Sequence, residues 1–298
     1  MRSTVSIPAL WLSFIGLLGC GTSPEGDAPI LRFTAIPDAN RTELAQRFGP
    51  LAAYLEQELG LPVEYVPTSN YSASVEMFKN GDVLLAWFGG LTGVQARKAV
   101  QGAHAIAQGA VDPEFRTHFI VHAMDAEGFD GAFPADLLRG ATFAFGSRQS
   151  TSGRLMPEHF IRQATGAGPE ALFGEISFSG SHDKTAELVD RGAVDAGAIN
   201  FRTYEELLAK GAISAETCRV VWTTPEYADY NWTAHPALEE RFGAGTTDRL
   251  RVALLELDDP TLLAALQRPE GLIEARDADY AGIAEVAQAL GFLRPSSR

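Results

Sequence analysis

From Leu31 onward the chain alternates short apolar runs with longer stretches in which apolar residues recur every three or four positions. The segments "LRFTAI", "PVEYV" and "VLLAWF" read as strands, the last of them buried on both faces. "TELAQRFGPLAAYLEQELG" reads as an amphipathic helix despite Pro50 and ends at Gly60, and "YSASVEMFKNG" reads as a second helix. Such alternation predicts a parallel sheet with helices on its faces. The second third of the chain follows the same plan. When the sequence is slid so that Tyr71 falls on His182, "YSASVEMFKNGDVLLAWFG" lies over "HDKTAELVDRGAVDAGAIN" without a gap, Gly81 on Gly192 and Val83 on Val194. The same shift lays "VEYV" over "GEIS" and "LRFTAIPDANRT" over "TFAFGSRQSTSG". Few residues are identical, but the order strand, helix, strand, helix, strand is kept.

The pattern predicts two α/β lobes of similar build, residues 30–115 and 116–224, with residues 225–298 returning to the first lobe. "GAHAIAQGAVDPEFRTHFIVHAM" carries the chain across and "CRVVWTTPEYADYNW" carries it back, which gives a hinge of two strands suited to closure around a ligand. The remaining C-terminal segment is helical in pattern. Ligands of open α/β sheets sit beyond the C-terminal ends of the strands. The loops after each lobe's first strand, "PDANRT" and "RQSTSG", are therefore expected to face one cleft.

Composition bounds the partner. The 298 residues are 46% hydrophobic and 21% charged, ordinary for a globular chain, and long enough for two lobes. A net charge of -14 excludes nucleic acid and an anionic membrane surface as partners. It leaves room for a small anion, because charges more than about 8 Å away are largely screened at physiological salt. At the N-terminus, Arg2 precedes the apolar run "IPALWLSFIGLLG", too short to span a bilayer comfortably. It ends in "LLGCG", which resembles a bacterial lipobox and predicts a signal peptide over residues 1–19, a lipid on Cys20 and a tether over 20–29. A plain signal peptide or a buried helix is the alternative. The mature body keeps one cysteine, Cys218, so it holds no internal disulfide.

Candidate chemistry gathers in "FGSRQSTSGRLMP", where Ser150, Thr151 and Ser152 stand between an apolar strand and a helix with Gly153 behind them. One hydroxyl suffices for a helix cap; three, with a glycine permitting close approach, also suit an oxyanion cradle. A Ser150 or Ser152 triad with His182 and Asp183 lacks the G-x-S-x-G elbow, and adjacent residues at a helix start diverge. His118 and His122 share a strand face without an evident third ligand, and "AMDAEGFDGAFPADL" lacks the calcium-loop spacing. Neither an enzyme, a metal site nor a cofactor is expected.

The combination "FTAIPD", "AWFGG" followed by "VQAR", "STSG", "GSHD", "VDAGA" and "TYEEL" resembles, in that order, the phosphonate-, phosphite- and phosphate-type substrate-binding proteins of ABC importers. The resemblance spans Leu31 to Phe292 and looks closest to a branch associated with selenate, through "LAWFGGLTGVQAR" and "DYNW". It implies a type II two-lobed periplasmic-binding fold that closes on an oxyanion and presents it to a membrane permease, the chain acting as a monomeric, membrane-anchored periplasmic lipoprotein. It also implies oxyanion contacts from Tyr71, Ser150, Thr151, Ser152 and His182, and places Phe88 where many relatives carry tyrosine, one donor fewer. Asp183, Asn200 and Asp229 are left open as contacts. A binding protein that reports to a signalling receptor would need the same cleft.

Overall fold

The computed structural model describes residues 29–123 and 131–293. The predicted signal segment, Cys20, the tether up to residue 28 and part of the acidic "AMDAEGFDGAFPADL" loop lie outside them. The chain opens with β1 (Leu31–Ala35), α1 (Arg41–Leu59), β2 (Val63–Tyr65), α2 (Tyr71–Lys79), β3 (Leu85–Phe88), α3 (Gly90–Ala99) and β4 (His104–Gly109). It crosses to β5 (Thr117–His122), α4 (Ala135–Leu138), β6 (Thr142–Phe145), α5 (Met156–Thr165), α6 (Pro169–Leu172), β7 (Glu175–Phe178), α7 (His182–Asp190), β8 (Ala196–Asn200), α8 (Phe201–Ala209) and β9 (Cys218–Thr223). It returns as β10 (Asn231–Ala234), α9 (Ala237–Phe242), α10 (Thr246–Leu255), α11 (Pro260–Ala265), β11 (Leu272–Glu274) and α12 (Ala281–Ala289).

Local sequence accounts for the element ends. The Asn40 side chain accepts from the Glu43 N–H at the start of α1, which runs through Pro50 and stops at Gly60 in the left-handed conformation. Asn70 and Asn200 cap α2 and α8 in the same way. In β5, Phe119 and Val121 point into one apolar cluster with Phe143 and Phe145, while Ile120 points into another with Val189 and Ile199. That alternation is the period-two signature of a sheet buried on both faces.

The strands form two sheets, ordered β11-β4-β10-β3-β1-β2 and β7-β6-β8-β5-β9. Each contains three parallel strands in the order second, first, third, followed by an antiparallel strand that has just crossed from the other lobe. The equivalence expected from the sequence therefore holds at the level of topology, and Tyr71 and His182 each open the corresponding helix. The crossings pair through backbone hydrogen bonds of 3.0 Å in both directions between Phe115 and Tyr227. Below them Asp112 and Arg268 form a buried ion pair, the guanidinium lying over the rings of Trp87, Phe115 and Tyr230. One expectation is corrected: the C-terminal segment is not wholly helical, because Leu272–Glu274 adds β11 antiparallel to β4.

Candidate ligand-binding cleft

The strand ends of both sheets meet at the hydroxyl run. Ser150 is the cap of a π-helical turn over Thr151–Leu155, and its Oγ accepts from the Gly153 N–H at 2.9 Å. Ser150 therefore serves as the cap, and Thr151 and Ser152 make other contacts. Thr151 Oγ1 accepts from the Leu91 N–H of the opposite lobe at 3.0 Å. Ser152 is held by its carbonyl, which accepts from the Thr117 hydroxyl at 2.8 Å. A Cβ on Gly153 would stand 3.0–3.1 Å from Ser150 Oγ, Gly146 Cα and His182 Cε1, which explains the glycine behind the hydroxyls. A Cβ on Gly89 would likewise press on Thr151 Oγ1 and Asp229 Oδ1, at 3.1 and 3.2 Å.

His182 is 1% exposed. Its Nδ1 accepts from the Asn200 N–H at 3.3 Å, so the ring proton resides on Nε2, which faces Ser152 Oγ at 3.3 Å and Ser150 Oγ at 3.5 Å. Burial lowers the imidazole pKa to about 4 against a weaker opposing effect of Asp183, so His182 is a neutral donor at physiological pH. Asp183 instead takes the Ser181 hydroxyl and the Lys184 N–H. Among the described residues no carboxylate orients the histidine, and Ser150 or Ser152, His182 and Asp183 do not form a triad. His118 and His122 also have other partners, the Thr223 hydroxyl and the Val189 carbonyl.

From the first lobe, Tyr71 brings a buried hydroxyl that has no hydrogen-bond partner among the described residues, although Ser150 lies beside it. Burial, reinforced by Asp38, holds this phenol well above its ordinary pKa, so it remains a donor. Phe88 is fully buried in the core of the first lobe and packs against Phe78, ring centroids 5.5 Å apart.

Two carboxylates border the cluster. Asp229 Oδ1 accepts from the Gly90 N–H at 2.8 Å, at the start of α3, while its Oδ2 is buried without a hydrogen-bond partner among the described residues, although Thr151 and Ser152 lie beside it. Burial raises its pKa to about 7, with the Gly90 N–H and the neighbouring Thr151 hydroxyl opposing. Asp38 accepts from the Tyr230 hydroxyl at 2.9 Å, and that hydroxyl accepts from Asn200 Nδ2 at 3.2 Å. This chain runs from the first lobe through the hinge into the second. Asp38 and Tyr230 were not singled out in the sequence; the loop "PDANRT" pointed to the place but not to the residue.

Residues 33–280 match the family described as "ABC transporter, phosphonate, periplasmic substrate-binding protein". The chain is 37% identical over 279 residues to a probable ABC transporter phosphite binding protein, PhnD1, of Prochlorococcus marinus, covering 92% of this chain and 94% of that one. It is 27% identical over 295 residues to the phosphate-import protein PhnD of Mycolicibacterium smegmatis, covering 91% and 88%. The solved structure of the Prochlorococcus protein in complex with methylphosphonate superposes with a TM-score of 0.85 at 38% identity, over 89% of this chain and 99% of that one.

Proposed function

Because the chain belongs to the phosphonate family of periplasmic substrate-binding proteins of ABC transporters, we propose that it binds a small phosphonate- or phosphite-like oxyanion between its lobes and delivers it to the membrane permease. The family consists of extracytoplasmic binding components rather than enzymes. The observation that carries the ligand assignment is the pairing of an unpartnered buried donor, the Tyr71 hydroxyl, with an unpartnered buried acceptor, Asp229 Oδ2. Both adjoin the hydroxyls of Ser150, Thr151 and Ser152. Ser150, Ser152, Tyr71 and the Nε2–H of His182 supply donors without an arginine or lysine, and Asp229 supplies the acceptor. Thr151 contributes by holding the hydroxyl run against α3. A monoprotonated phosphonate or phosphite offers oxygens to the donors and one O–H to the carboxylate, whereas sulfate and selenate are acceptor-only.

Calorimetry tests this. Phosphite or methylphosphonate is expected to bind at least about tenfold more tightly than sulfate or selenate, one charge-assisted hydrogen bond contributing on the order of 1.5–3 kcal/mol. Equal or tighter binding of selenate would remove the ligand assignment. The same reading includes attachment through Cys20: Cys20→Ser is expected to abolish lipid labelling and membrane retention, and unchanged retention would exclude the lipobox.

A further inference from the structure

We propose that the mouth of the cleft is a cationic vestibule that captures a small oxyanion before the lobes close, with Arg41 and Lys184 setting the rate of capture. The proposal rests on anion binding in the cleft, but concerns residues outside it. A cavity of about 570 Å³ opens between the lobes, lined by Asn40, Arg41 and Asn70 on one side and by Ser147, Ser181 and Lys184 on the other.

Arg41 is the first residue of α1, and Lys184 lies in the first turn of α7. A cation in the first turn opposes the helix macrodipole. Neither residue forms an ion pair among the described residues, whereas Arg32, Arg97, Arg116, Arg139, Arg162 and Arg191 all do. Arg148, next to Ser147, also forms no ion pair among the described residues, its guanidinium lying 3.7 Å from the centre of the Phe178 ring. The same first turns carry Glu43, which pairs with Arg47, and Asp183, which accepts the Ser181 hydroxyl, while Asp38 accepts from Tyr230.

Each lobe therefore brings to the same cavity one cation that has no ion pair among the described residues. In a chain of net charge -14 the long-range field repels an anion. Two helix N-termini and the Arg41 and Lys184 side chains at the entrance oppose that field locally. Complementary charge outside a site acts mainly on association.

Stopped-flow fluorescence with methylphosphonate and the full chain separates the two rates. In R41E/K184E the association rate constant is expected to fall about tenfold or more at low ionic strength, with R41Q/K184Q intermediate and dissociation within about twofold of wild type. Added salt is expected to slow the wild type and to speed the double-Glu variant. An unchanged association rate in both variants, or a loss confined to dissociation, overturns the vestibule and leaves the ligand assignment standing. Should the wild type bind neither methylphosphonate nor phosphite in calorimetry, the ligand assignment fails and the vestibule fails with it.

Discussion

Ser152 and Tyr71 illustrate what single residues contribute. Each brings one buried hydroxyl to the cleft from a different lobe. Ser152→Ala and Tyr71→Phe are each expected to weaken methylphosphonate binding about tenfold or more in calorimetry, with the thermal transition unchanged, since each removes a donor to a charged acceptor. Asp229 adds a pH dependence whose sign follows from its pKa near 7, against 3.8 ordinarily. The folded ligand-free protein prefers the protonated carboxyl, so the stability it contributes is complete below about pH 4 and lost as pH rises through 7. Asp229→Asn should remove that component of the melting temperature's pH profile. In the complex, the carboxylate and the ligand share one proton. Above pH 7 it must come from solution, and affinity is expected to fall by up to about tenfold per pH unit. Calorimetry at pH 8 in buffers of different ionisation enthalpy should show proton uptake by the wild type and none by the variant. The hydroxyls and His182 were legible in the sequence because they sit in short contiguous motifs. Asp229 was visible only as a weak candidate, because its partner Gly90 lies 139 residues away and only the return crossing brings the two together.

Among the elements, α8 links the lobes by a stripe of charge. Arg202, Glu206 and Lys210 stand one turn apart along one face. They reach Glu270, then Gln267 and Arg47, then Glu43, all on the opposite lobe. Both neighbouring cations and the Gln267 amide hold the Glu206 carboxyl below its usual pKa against the effect of burial. The stripe fastens one lobe to the other without touching the hydroxyl cluster. Glu206→Lys should therefore weaken every ligand by a similar factor, roughly three- to tenfold, as the balance of open and closed forms shifts. Small-angle scattering should show a more open population, and ligand-specific losses would contradict the idea. The elements themselves were largely readable because their apolar periods are regular over whole turns or strands. β11 escaped because three residues carry too little periodicity to separate a strand from a loop. The π-helical turn escaped because no side-chain pattern distinguishes it from an ordinary helix start; it is the close packing of Gly153 on Gly146 and His182 that goes with it.

For the molecule as a whole, two lobes of one plan were visible in the sequence as a gapless self-match, and the sheet orders repeat it over five strands, with β11 added at the edge of the first. What the self-match could not reveal is that the first sheet takes a strand, β10, from the return crossing while the second sheet needs none. The two lobes are therefore unequal in time. All five strands of the second sheet come from one continuous stretch, Thr117 to Thr223. The first sheet stays divided, with β4 separated from β3, until β10 enters between them from residues 231–234. A chain that emerges from a ribosome or a translocation pore N-terminus first therefore completes its second lobe before its first. A chain ending at Thr224 is expected to give a protease-resistant core from the second lobe while residues 31–109 remain digestible, and resistance of the early segment instead would refute that order. The oldest part of the nascent chain is the last to become native, and it waits in an unfinished state for a strand still to be made.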